Sequence, residues 1–240
     1  MRGKRLALSA AVAAGYVAGR RRMVRWGATA DEVSGLFPGA EVILGATRSA
    51  TMAVTLEALP AQIWPWLVQM GADRGGWYSW DRLDNFGRRS TDQIHPEWQE
   101  IQVGDRLWAK PDGSQWWTVA VVDPERFLGL RMSLDLAGRP FDPTGERPAA
   151  FTDSTWGFRL TELPGERTRL VVSGYWEFRP AWLRPFLSLL VLEPAHWIMQ
   201  TRQFHNLRRR VEQPPSQAVI ASVGGGEQPA AGSTRRPSRS

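Results

Sequence analysis

Between Ser49 and Val211 the hydrophobic period changes three times, and each stretch of constant period predicts an element. Ala50, Met52, Val54 and Leu56 alternate with Ser49, Thr51, Ala53 and Thr55, the period-two signature of a strand. After Pro60, Ile63, Leu67 and Met70 recur at helical spacing, and Gly71 supplies the stop. Pro65 strains this helix unless it lies in the first turn, because it has no N–H and crowds the carbonyl four residues back. Residues 80–86 read as a second short helix. The period then returns to two over residues 105–109, 115–122, 127–133, 155–163 and 168–178. Trp156, Phe158 and Leu160 face away from Gly157, Arg159 and Thr161. Leu170, Val172, Trp176 and Phe178, with Gly174 in line, face away from Arg169, Ser173 and Glu177. One buried and one wet face imply an antiparallel sheet. Pro164-Gly165-Glu166 reads as a hairpin turn. The long, Pro-rich stretch 135–153 reads as a mobile connection or a lid.

The last element is helical from about residue 181 to 211, kinked or divided by Pro185 and Pro194. Undivided, it would run roughly 45 Å. Trp182, Phe186, Leu190, Trp197, Phe204, Leu207 and Val211 give it a broad apolar face. The expected fold class is α+β: an antiparallel sheet wrapped around a long C-terminal helix, with two short helices after the first strand.

With 240 residues, 42% of them apolar, the chain can bury a full core without staples. It has no cysteine, which removes disulfides, thiolate nucleophiles and Cys-ligated metals. The net charge of +6 is unevenly placed. The first 25 residues hold seven basic side chains and no acid, and residues 213–240 hold three Arg and one Glu, so the middle is slightly acidic. That argues against nucleic acid as a partner of the folded part. Three regions result: a basic-flanked apolar segment at 1–25, a globular domain at 26–212, and a Pro-, Gly-, Ser- and Gln-rich tail at 213–240 that should be disordered. The uncharged run from Leu6 to Gly19 is short for a bilayer span, which needs roughly 20 residues. It reads as a surface helix, a membrane anchor or a cleaved signal. The Arg20-Arg21-Arg22 cluster opposes translocation of the chain beyond it. A cytoplasmic protein is the expectation, tethered to the inner membrane face through residues 1–25 if that run is an anchor.

Four segments carry a resemblance: Trp64-Pro65-Trp66-Leu67-Val68-Gln69-Met70-Gly71, Gly75-Gly76-Trp77-Tyr78-Ser79-Trp80-Asp81, Ile94-His95-Pro96-Glu97 and Leu192-Glu193-Pro194-Ala195-His196. The chain from about Trp26 to Arg210 resembles a bacterial branch of the SRPBCC superfamily, which includes START-type lipid-binding domains, pollen-allergen-like proteins and polyketide cyclases. The resemblance implies a helix-grip fold with an internal cavity. It implies no particular ligand or reaction.

Thirteen Trp are a heavy load. Trp66, Trp108, Trp117, Trp156, Trp176 and Trp197 can be core, or can wall a cavity for a small apolar ligand together with Trp77. Tyr78 and Asp81 follow Gly75-Gly76 and can meet a ligand at the cavity mouth, or form a packed turn. His95, Glu193 and His196 are the acid–base candidates. His95 equally suits a loop anchor. Glu193 equally suits a helix cap; in the helical phase of Leu190 and Trp197 it needs a partner, either His196 or a donor in the loop 75–81. No phosphate loop, dinucleotide fingerprint or Ser-His-Asp order is present, so no cofactor and no metal is expected. Carriage of a small lipid-like or polyketide-like molecule leads the functional readings. A cyclase or dehydratase acting on such a ligand, and a membrane-associated interaction module, are the alternatives.

Overall fold

A computed structural model describes residues 15–16 and 19–212, so most of the apolar N-terminal run and the whole C-terminal tail lie outside the described residues. The strands are β1 (Thr47–Arg48), β2 (Met52–Leu56), β3 (Arg106–Trp108), β4 (Trp116–Asp123), β5 (Phe127–Asp135), β6 (Phe151–Leu163), β7 (Arg167–Ser173) and β8 (Tyr175–Arg179). They form one open antiparallel sheet. β3, β4, β5 and β6 run in sequence, and then the sheet forks. The far half of β6 pairs with β7, which pairs with β2; the near half pairs with β8, which pairs with β1. The fork is at Gly174, where a Cβ would stand 2.0 Å from the Thr155 carbonyl oxygen. Only glycine lets the strands approach so closely. The single strand expected over 168–178 is therefore two.

Among the described residues the helices include, in chain order, α1 (Ala30–Ser34), α2 (Pro60–Val68), α3 (Arg184–Leu187) and α4 (Glu193–Val211). Thr29 and Glu32 close a capping box on α1. Pro65 lies inside α2 and not in its first turn, so the Ala61 carbonyl loses its helical partner. Residues 80–86 are turns rather than the second helix expected. The Leu83 and Asp84 amides both bond to the Trp80 carbonyl, but Phe86 is left-handed at φ 52° and Ser90 donates twice to the Asp81 carboxylate, so the chain folds back. The stretch 135–153 is less free than expected: Asp135 ties a turn through Ala137 and Arg139, and β6 already begins at Phe151.

The C-terminal helical run is 28 residues long, and its prolines divide it. Pro185 opens α3 and Pro194 opens α4. Between them Ser188–Leu192 is a π turn, closed by the Glu193 amide bonding five residues back to the Ser188 carbonyl. This break has a consequence for packing. Phe204 and Leu207 of α4 are fully buried against the sheet, as expected. Trp182, Phe186 and Leu190, expected on the same face, are 70%, 61% and 67% exposed, because their segment is lifted off the sheet.

The inner core joins Val54, Leu56, Phe158, Leu160, Leu170 and Val172 of the sheet to Phe204 and Leu207. The outer face is not simply wet, as the alternation suggested. Phe37 packs there edge-on to Phe127 at 5.7 Å, with Ala53 and Val171. The two rings lie over the cross-strand pair Gly129 and Gly157; a Cβ on Gly157 would stand 2.8 Å from Phe37. Arg169 holds this covering segment through Glu32 and the Gly27 carbonyl.

Candidate ligand cavity

Along β6 the inward residues change character. Phe158 and Leu160 pack solidly, whereas Trp156, Ser154 and Thr152 line a cavity of about 1120 Å³. The cavity lies between this end of the sheet and the segment from α3 to the start of α4.

The closed end is aromatic. Trp156 lies 5.6 Å from Trp77 and 5.5 Å from Trp117, ring centre to ring centre. Its indole N–H donates to Gln200 Oε1 at 3.3 Å, Gln200 Nε2 donates to Gln203 Oε1 at 2.7 Å, and Gln203 Nε2 donates to the Trp77 carbonyl at 2.9 Å. Gln200 and Gln203 are buried on the inner face of α4, and this chain of bonds ties the Trp156 indole to the Trp77 backbone.

The rim is charged. Arg20 holds Glu193 with two bonds, 2.6 and 2.7 Å, and the Ser188 hydroxyl donates to the same carboxylate. The carboxylate raises the Arg20 pKa above its ordinary value. Arg184 donates to Thr47 Oγ1 at 2.6 Å and lies over the Trp176 ring. Among the described residues, Arg25, Arg48, Lys110 and Arg184 line the cavity without a carboxylate partner.

Of the residues expected to bind ligand, Trp77, Trp117, Trp156 and Trp176 line the cavity. The others lie elsewhere. Trp66 is core, edge-on to Tyr78. Tyr78 is fully buried, accepts a hydrogen bond from Gln69, and has its phenol pKa pushed up by burial. Asp81 is used by Ser90. Trp108 is on the edge strand, and Trp197 packs against the core away from the cavity. The group that Gly75 and Gly76 allow to approach is internal: a Cβ would meet the Tyr78 hydroxyl at 2.6 Å and the Ser90 hydroxyl at 2.5 Å.

Among the acid–base candidates, His95 anchors a loop. Its ring stacks on Trp98 at 4.2 Å and bonds Thr91 and Glu97. Glu193 is partnered by Arg20 and Ser188, not by His196 or the loop 75–81. His196 lines the cavity and is half-buried. Burial pushes its pKa down to about 4, so the ring is neutral at pH 7. Asp84, on the cavity wall, was not anticipated. Among the described residues neither buried carboxylate oxygen meets the geometry of a hydrogen bond, and burial pushes the pKa up to about 6.

These two groups act oppositely on stability. His196, depressed from 6.5, stabilises fully above its unfolded value and loses that contribution as pH falls. The loss between pH 7 and pH 5 is on the order of 2 kcal/mol. Asp84, raised from 3.8, binds its proton more readily when folded, so it adds stability as pH falls through about 6. Urea unfolding at pH 7 and pH 5 is expected to separate them. His196→Gln should gain relative to wild type at pH 5, and Asp84→Asn should lose. Parallel curves for all three proteins would contradict both assignments.

No family model and no curated protein matches the chain. Solved structures match it at low similarity. A protein from Arthrobacter aurescens is 16% identical over 76% of this chain and 94% of its own, with a TM-score of 0.40. Protein Ms6760 from Mycobacterium smegmatis is 18% identical over 70% and 91%, also at 0.40. DynU16, from the dynemicin biosynthetic locus, is 19% identical over 68% of this chain and 46% of its own, at 0.36. Such likeness assigns neither ligand nor activity. Among the described residues no helix is long and apolar enough to cross a membrane.

Proposed function

We propose that the protein binds and carries a small, mainly apolar molecule, lipid-like or polyketide-like, in the manner of SRPBCC helix-grip proteins. One observation carries this reading: a cavity of about 1120 Å³ is lined by the contacting indoles of Trp77, Trp156 and Trp117. That volume lies just above the usual range for a small-molecule site, roughly 300–1,000 Å³. The apolar end of the ligand lies against the indoles, and any polar end lies at the rim among Arg184, Lys110 and the Arg20–Glu193 pair. A catalytic reading has less support. His196 and Asp84 face the cavity, but no hydrogen bond joins either to the other or to Glu193, so no acid–base pair is assembled.

Titration with a neutral, apolar fluorescent dye tests the proposal. Saturable binding at one dye per chain is expected, with displacement by long-chain lipids. Absence of saturable binding, or binding that lipids leave untouched, would overturn it.

A further inference from the structure

The lifted segment of the C-terminal run has two faces. Pro185, Ser188, Leu189 and Leu192 line the cavity. Trp182, Phe186 and Leu190, spaced four residues apart, form a stripe pointing into solvent, and the neighbouring Val191 is 54% exposed. Such a row of large apolar side chains on a monomer surface marks a docking face. It stands beside a basic cluster. The N-terminal segment reaches this helix through the Tyr16 hydroxyl, which donates to the Leu189 carbonyl, and through Arg20 on Glu193. Arg21, Arg22 and Arg25 in the same segment are exposed, and no acid lies among the first 25 residues.

We propose that the Trp182–Phe186–Leu190 stripe docks on an anionic lipid surface, with the neighbouring arginines held at the headgroups and the cavity rim facing the bilayer. Aromatic and aliphatic side chains beside exposed arginines suit the interface between headgroups and acyl chains. Basic residues gain further from the negative potential of anionic lipids. A second copy is a poorer occupant, because a two-fold contact through the stripe would bring two arginine clusters together. The placement also has a chemical logic that rests on the carrier reading: the segment that lines the cavity presents its other, apolar side to the phase from which an apolar ligand would come.

The full chain has no cysteine, so a single introduced thiol reports one place. Phe186→Cys, labelled with an environment-sensitive fluorophore, is expected to shift to the blue with phosphatidylcholine–phosphatidylserine vesicles and much less with phosphatidylcholine alone. Glu162→Cys, at the opposite end of β6, should not respond. In flotation, Trp182→Ser/Phe186→Ser/Leu190→Ser should weaken binding to anionic vesicles at least tenfold while retaining its melting transition and its dye binding. Three results would overturn the proposal. The label at 186 could be blue-shifted before vesicles are added and unchanged by them, which means that residues 1–14 or a second copy cover the stripe. The triple variant could float like wild type, which assigns the contact to the N-terminal segment alone. Wild type could fail to bind anionic vesicles. If the triple variant does not fold, the labelled Phe186→Cys protein decides between these outcomes by itself.

Discussion

Asp153→Ala is expected to lower the unfolding free energy by about 3–5 kcal/mol. Asp153 has no exposed surface and lies on β6 opposite Ser133. Its carboxylate accepts from Arg131 Nε and Nη2 at 2.9 and 2.6 Å and from Ser133 Oγ at 2.9 Å, and Arg147 approaches within 3.6 Å. Removal takes the bidentate partner from a largely buried Arg131 guanidinium, which costs more than the pair itself contributes. Domains of this size hold only about 5–15 kcal/mol in reserve, so the loss is a large fraction. Asp153 also sits between Thr152 and Ser154, whose side chains line the cavity, so the network on one face of β6 fixes the wall on the other. Urea unfolding gives the number. Adding Arg131→Leu to the variant should restore part of the loss, and a cost under about 1 kcal/mol for the single change would contradict the account.

Ser154→Trp is expected to reduce affinity for an apolar dye by at least about tenfold, which is about 1.4 kcal/mol. Ser154 faces the cavity one inward step along β6 from Trp156, between the aromatic wall and the rim. A Trp there projects into open space instead of a packed core, so stability should change little. Trp156→Ala is the complement. It enlarges the cavity but removes the indole that links Trp77, Trp117 and Gln200, so it should cost both stability and affinity. Full dye affinity in Ser154→Trp would place the ligand elsewhere.

The sheet was legible because period two is a strong signal when one face is buried; β2, β4, β5 and the inward face of β6 fall where the alternation puts them. The fork at Gly174 was not legible, since it depends on contact with Thr155, across the sheet and far away in sequence. Four of the cavity tryptophans could be named from composition. Those lining the cavity could not be separated from Trp66, Trp108 and Trp197, because a single Trp looks the same in a core and in a cavity wall. Gln200 and Gln203 were missed because a glutamine at helical spacing reads as solvent face. The interruption of an apolar face by polar residues between Trp197 and Phe204 was the available signal. The stripe Trp182–Phe186–Leu190 was read as core because the period shows which residues share a face, not what that face meets. The two prolines and the π turn between them decided that.

The most direct test of the central claim is native mass spectrometry of the protein as purified, repeated after extraction with organic solvent. The account predicts a species heavier than the chain by one small molecule. Extraction should remove it, adding back an apolar ligand should restore it, and Ser154→Trp should weaken it. A bare chain mass before and after extraction, with no uptake of any added lipid, would contradict it.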